Sequence, residues 1–235
     1  MQEKAGFRER AVNKFIEVVL ARLVDAEQLK VRIKTNLKQL ARGEIDAIAI
    51  QMSGFLLQQN LRVADFRFDI GPAAVNVQSA MRRKIELLHP SDGLLHLTIT
   101  EYQLSHLLQA ELLGSDPRQD GQLEQLEQVN CELRADGAIA FHVKWLHAEE
   151  LESGTCITIP WIEPNTNTVV LEQQNFEEKE PPASFVNAAI AQVSSILSLI
   201  DITNQGTTFQ LQQLDIEAGK VTVQAAAHIE QFPSS

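Results

Sequence analysis

The sequence predicts an α+β fold built on a long antiparallel sheet of hairpins, and three observations support that class. Most segments in the second half of the chain alternate apolar and polar residues with a period of two, as half-buried strands do. The turns between them are short, as at Asp136-Gly137, and leave no room for the crossovers that parallel strands require. Three further segments repeat apolar residues every three or four positions, which indicates about three helices.

The first third of the chain is predicted to begin with a helix over residues 7–26, where apolar residues recur at helical spacing. The period then changes to two, which indicates strands. The predicted strands cover residues 29–34, 45–52 and 63–70. A short helix is predicted over residues 73–83.

The middle of the chain is predicted to form a strand over 95–99 that leads into a second helix. Thr100 and Gln103 have the spacing of a capping box, in which each side chain bonds the backbone N–H of the other residue. Gly114 is predicted to end this helix. Its apolar stripe consists of Leu104, Leu107, Leu108 and Leu112.

The remainder is predicted to form hairpins and a third helix. The predicted strand pairs are 129–135 with 138–146, 155–162 with 168–177, and 208–217 with 220–230. The helix, over 183–199, has one apolar face and one face of small, uncharged residues, whereas an exposed helix normally carries Lys and Glu there. This helix is therefore either covered on both sides or borders a cavity for an apolar ligand, and close packing of small side chains is the alternative.

The charge balance limits the classes of partner. The chain has 235 residues and a net charge of −11, which argues against a protein that coats nucleic acid. Residues 1–86 hold 15 basic and 10 acidic residues, whereas the rest holds 5 and 21. Three cations, Lys30, Arg32 and Lys34, share one face of the first predicted strand, and we expect them to contact an anionic membrane surface. Further cations expected nearby are Lys38, Arg82, Arg83 and Lys84.

No pattern in the sequence indicates an enzyme. Phosphate-binding, dinucleotide-binding, zinc-protease and serine-hydrolase motifs are all missing from it. His142 and His147, near Glu149 and Glu150, are the densest candidate metal ligands, but their spacing matches no standard site. The two cysteines, at 131 and 156, have no basic neighbour in the sequence and are predicted to pack in the core. We therefore expect no catalytic residue, metal or cofactor.

A candidate apolar cavity follows from the helix stripes and from the alternating faces of two neighbouring strands. An acyl chain between the helices and the sheet would contact these residues. The candidates on the helices are Leu104, Leu108, Leu112, Phe185, Ala189, Val193 and Leu197. The candidates on the strands are Phe141, Trp145, Ile157, Ile159 and Trp161, which are predicted to share one face.

The run DGLLHLTITEYQL over 92–104, with the leucines of the helix that follows, resembles a recurring segment of the LmeA-like family of bacterial proteins. There, a glycine precedes an alternating strand, a Thr-Glu turn and a leucine-rich helix. The run 29–33 after a leading helix and the closing hairpin through 229–233 fit as well, so the resemblance covers nearly the whole chain. The sequence departs from the family pattern at Tyr102 and His106, where Asp and Asn are common.

This resemblance implies a tubular lipid-binding type of fold, in which a strongly curved antiparallel sheet wraps around the helices. It also implies binding of phospholipid, a role in envelope lipid or glycan metabolism in some members, and no catalytic residues. We therefore predict a non-catalytic lipid-binding protein, in one domain over 1–235, that acts in lipid transfer or membrane lipid homeostasis. The alternative is a structural or adaptor protein of the same fold with a filled core and no ligand.

The sequence also bears on localisation. Charged residues interrupt the opening segment, and no secretory signal peptide is visible. We expect the protein in the cytoplasm or at the membrane periphery, or in the periplasm where a leader has been removed. The least polar window, 183–200, holds too many Ser, Asn and Gln residues for a membrane-spanning helix. The sequence leaves the oligomeric state, the lipid headgroup and the pairing of the cysteines open.

Overall fold

The structure is a computed structural model, and it describes residues 25–40, 42–76, 87–113, 124–200 and 206–231. The helix predicted over 7–26 lies outside the described residues except for its last two positions, which are not helical. Most of the short helix predicted over 73–83 also lies outside them. Its first two residues form a strand instead, so that part of the prediction is wrong.

The described residues form fourteen strands and three helices. The strands are β1 (Gln28–Lys34), β2 (Glu44–Ile45), β3 (Ala47–Ser53), β4 (Phe55–Gln58), β5 (Leu61–Val63), β6 (Asp65–Ile70), β7 (Ala73–Ala74), β8 (Ser91–Thr100), β9 (Glu124–Leu133), β10 (Ile139–His147), β11 (Glu150–Glu163), β12 (Thr168–Glu178), β13 (Thr207–Glu217) and β14 (Lys220–Ile229). The helices are α1 (Leu37–Leu40), α2 (Glu101–Leu113) and α3 (Ala183–Leu197). The second and third predicted helices are confirmed as α2 and α3.

The strands form two main sheets, and every pairing between neighbours is antiparallel. One sheet has six strands in the order β1-β3-β6-β8-β14-β13, and the other has four in the order β12-β11-β10-β9. Two small ladders, β2 with β7 and β4 with β5, complete the set among the described residues. The predicted α+β class and its antiparallel hairpins are therefore confirmed, with two open sheets in place of one long sheet.

Local sequence signals explain the junction between β8 and α2. The Thr100 backbone N–H donates to Gln103 Oε1 at 2.9 Å, and the Gln103 N–H donates to Thr100 Oγ1 at 3.4 Å. The predicted capping box is thus present, and it begins the helix directly at the end of the strand. The turn after β13 uses Gly219 at φ +80°, a conformation that favours glycine.

The six-stranded sheet has one apolar face that extends across all six strands. Its inward residues stand opposite one another in register, since cross-strand partners in an antiparallel sheet share a face. Along β8, for example, Leu95, Leu97 and Ile99 are fully buried. Most of this face packs with α2, α3 and the four-stranded sheet into one large apolar cluster, which is the main core.

Serine hydroxyls on α2, on α3 and just after α3 bond one residue on each edge strand of the four-stranded sheet. On β9, the Ser105 hydroxyl accepts from the Cys131 N–H at 2.9 Å and donates to its carbonyl at 3.1 Å. On β12, the Val169 N–H donates to Ser198 Oγ at 2.7 Å, and Ser194 donates to the Val169 carbonyl. The small, uncharged face of α3 is therefore partly a contact surface for a strand edge, while Ser184, Asn187 and Ala191 are exposed.

Candidate functional site

Most of the residues predicted to line a cavity are closed off inside the main core. Seven of the twelve candidates expose no more than 1% of their surface. They are Leu104, Leu108, Phe141, Trp145, Ala189, Val193 and Leu197. A side chain without accessible surface contacts protein atoms on every side, so these residues are packed against one another as a core is. Two further candidates, Leu112 and Phe185, are half-buried and pack against the same core.

The three candidates on β11 do not share a face with Phe141 and Trp145, so that part of the prediction is wrong. Phe141 stands opposite Cys156, whereas Ile157 stands opposite Ala140 on the other face of the sheet. Ile159 and Trp161 continue that outer face, and each is 41% exposed. The run Ile-Thr-Ile-Pro-Trp-Ile has apolar residues on both faces, so its alternation could not fix the direction in which each side chain points.

Partly accessible apolar side chains lie at one end of the six-stranded sheet, which we call the distal end. The row of partners there runs Ile33, Ile48, Ile70, Gly93, Ala227 and Phe209 across the six strands. Ile70, Ala227 and Ile229 form a second apolar cluster, apart from the main core. Ile33, Ile48, Phe68 and Phe209 on the same face are only half-buried. The alternating pattern of these strands predicted which residues face inward. It did not distinguish the distal end from the main core.

The three cations of β1 lie on the opposite face of that strand. Lys30, Arg32 and Lys34 are exposed, and their cross-strand partners on β3 are uncharged. No carboxylate in the described ranges lies within salt-bridge distance of any of the three. Lys38, on α1, is also exposed, whereas Arg82, Arg83 and Lys84 lie outside the described residues. One terminal strand therefore presents apolar residues to one face and, to the other, cations that have no carboxylate partner among the described residues.

A comparison with family models identifies the family of the chain. The model described as LmeA-like phospholipid-binding matches residues 6–226 of the 235. The chain belongs to the LmeA-like phospholipid-binding family. Neither the curated proteins nor the solved structures gave a match. In the part of this LmeA-like chain that the structure describes, no helix is long and apolar enough to span a bilayer.

A groove of about 910 Å³, lined mostly by polar residues, lies between α2 and the outer face of β9 and β10. Its side chains bond mainly to one another. His142 Nε2 lies 2.9 Å from Glu132 Oε2, its Nδ1 lies 2.9 Å from Thr155 Oγ1, and Gln109 donates to Asn130 at 2.8 Å. His142 is thus held by Glu132 and Thr155, and neither is among the neighbours His147, Glu149 and Glu150 named from the sequence. Within the described ranges, no group of three metal-binding side chains converges.

Three side chains of this family member, two buried thiols and one carboxylate, have shifted pKa values for identifiable reasons. Burial raises the pKa of the Cys156 thiol to about 11 and raises that of Cys131 further, so both stay protonated at neutral pH. A hydrogen bond from Lys179 lowers the pKa of Glu152, and Trp145 also bonds this carboxylate. The buried indole of Trp145 therefore has its polar partner within the fold.

Proposed function

We propose that the chain is a non-catalytic phospholipid-binding protein. The acyl chains of the bound lipid lie on the apolar face of the six-stranded sheet, at the distal end. Membership of the LmeA-like phospholipid-binding family carries this proposal. The half-buried side chains at the distal end support the location, because an acyl chain there gains contact with apolar surface that water now reaches. Each methylene that leaves water contributes about 0.8 kcal/mol. The tubular arrangement of sheet around helices that the family resemblance implies is part of the proposal.

The distal end is a better location than the space between the helices and the sheet. Leu104, Phe141 and Ala189 have no accessible surface, so a lipid there would first have to separate packed side chains. Opening a void of acyl-chain size in a close-packed core costs several kcal/mol, by the measured cost of about 24 cal/mol for each Å³ of cavity. Ile48 and Phe209 need no such opening, since they already have accessible surface.

Peripheral contact with anionic membranes is the second element of the proposal. The cations of β1 have no carboxylate partner among the described residues, and each basic residue near an anionic surface contributes about 1 kcal/mol. Because β1 ends the strand order, the same strand brings the apolar face and the cations to one border of the sheet. A protein that takes phospholipid from one membrane and releases it at another needs both properties. Lipid transfer or membrane lipid homeostasis is therefore the role that we propose.

A structural or adaptor protein of the same fold is the second candidate function. The observation that favours it is the closed main core, which contains seven of the twelve residues predicted to line a cavity. Under this candidate, the distal end would hold no lipid, and its half-buried side chains would only complete the sheet. The two candidates differ in whether the purified protein carries phospholipid.

Native mass spectrometry and lipid extraction of the purified chain test the proposal. We expect bound phospholipid in the wild type and much less in an Ile48→Gln variant, because a polar side chain then meets the acyl chain. Ile159→Gln is the matched control, since Ile159 is partly exposed on the outer face of the other sheet. A ligand-free wild type, or equal lipid loss in both variants, would favour the structural candidate.

A further inference from the structure

Two phenylalanines lie where the distal end meets the main core. Phe68 on β6 and Phe209 on β13 pack against both apolar clusters, and their ring centroids are 6.2 Å apart. Both side chains lie on the apolar face of the sheet and are half-buried. A ligand that extends from the distal end toward the main core along the strands from β6 to β13 therefore meets this aromatic pair.

Small residues make room for the pair on the strands between them. A Cβ on Gly93 would lie 2.9 Å from Phe68 Cε2 and 3.0 Å from the Asp69 carbonyl oxygen, so the Phe68 ring lies directly against this glycine. Ala227 stands between Gly93 and Phe209 in the register of the sheet. A larger residue at either position would reduce the space beside the rings.

We propose that Phe68 and Phe209 act as a stop that limits the length of the acyl chain that the distal end accepts. This inference rests on the proposed phospholipid binding. An acyl chain is flexible and apolar along its whole length, so only the end of its groove can measure it. Two aromatic rings that each pack against both apolar clusters form such an end. An acyl chain longer than the distance from the border of the sheet to the rings of Phe68 and Phe209 would leave some methylenes in water. Those methylenes would not contribute the free energy of burial.

Two substitutions with opposite expected effects on acyl-chain length test the stop. Phe209→Leu shortens the barrier and keeps an apolar side chain, so we expect the bound lipid to shift toward longer acyl chains. Ala227→Val adds bulk beside the rings, so we expect a shift toward shorter chains. The readout is the acyl-chain profile of extracted phospholipid, with competition between dilauroyl and dipalmitoyl phosphatidylglycerol as the defined probe. Melting temperatures show that each variant is folded.

Phe55→Leu is the matched control. Phe55 also belongs to an aromatic pair, with Phe66 at 5.2 Å between centroids, but it packs only against the main core. We expect this variant to keep the acyl-chain profile of the wild type. Bound lipid whose profile is the same in all four proteins overturns the stop and leaves phospholipid binding intact. A wild type without any phospholipid overturns the proposed function itself, and the stop with it.

Discussion

At the scale of single residues, the two cysteines show how burial decides chemistry. Cys131 and Cys156 are buried and free, and burial raises the pKa of both thiols. For Cys156, the negative charge of Glu180 adds to the effect of burial. A thiol is nucleophilic only as a thiolate, so neither sulfur is poised to react at neutral pH. The two cysteines contribute to packing, and this contribution depends on the thiols remaining protonated.

The Cys156 thiol gives stability a measurable dependence on pH. Its pKa in the folded chain, about 11, lies above the ordinary thiol value of about 8.5, so the unfolded chain loses this proton first as the pH rises. The stability that the neutral thiol contributes is therefore complete below about pH 8.5 and is lost as the pH rises toward 11. We expect urea unfolding to show a larger loss between neutral and alkaline pH for the wild type than for Cys156→Ala. Equal losses would contradict the assigned shift.

At the scale of elements, the sequence predicted what depends on local pattern and missed what depends on register. The capping box at Thr100 and Gln103 specifies its own geometry, so the start of α2 could be predicted. The inward face of β11 could not, because both of its faces are apolar and a shift of one residue exchanges them. The small face of α3 was also ambiguous, since nothing in its composition indicates that Ser194 and Ser198 bond the edge of β12.

Helix α3 provides a test of how tightly the main core is packed. Ala189 is fully buried on its inner face, so Ala189→Trp should overpack the core and lower the free energy of unfolding by about 1–3 kcal/mol. Ala191→Trp on the exposed face of the same helix is the control and should change it by less than about 0.5 kcal/mol. Equilibrium unfolding in urea measures both. If Ala189→Trp keeps full stability but loses bound lipid, the acyl chain lies under α3 and not at the distal end.

At the scale of the whole molecule, charge is distributed unevenly along the chain. Residues 1–86 carry the excess of basic residues, and β1 presents three of them on one face. We expect that the triple substitution of Lys30, Arg32 and Lys34 by Ser weakens binding to phosphatidylglycerol vesicles by about 1 kcal/mol for each residue at low salt. High salt should reduce the difference between wild type and variant, because screening acts on both surfaces. Co-sedimentation at two salt concentrations measures it.

Two controls accompany that experiment. Lys144→Ser removes an exposed cation from β10, on the other sheet, and should leave vesicle binding nearly unchanged. Phosphatidylcholine vesicles should not distinguish the triple variant from the wild type, since they carry no net charge. Equal binding of both proteins to anionic vesicles would show that the basic face of β1 does not contact the membrane.

The location of the proposed lipid site lies beyond what sequence periodicity can predict. Alternation along each strand predicts which residues face inward, but Leu97 in the main core and Ile48 at the distal end follow the same rule. Only the assembled sheets show that one end of the apolar face lies outside the main core. That difference arises from contacts between segments far apart in the chain, such as β6 with β13 through Phe68 and Phe209.

The serine contacts at the two edges of the four-stranded sheet also affect how this protein could aggregate. An uncovered edge strand can pair with the same strand of another molecule and so start a growing β-aggregate. Here Ser105 on one side, and Ser194 and Ser198 on the other, occupy backbone groups that a foreign strand would need. A foreign strand can pair along the full length of either edge only after the helix there moves away, and that movement exposes the main core. At these positions, pairing with a foreign strand is therefore coupled to disruption of the fold.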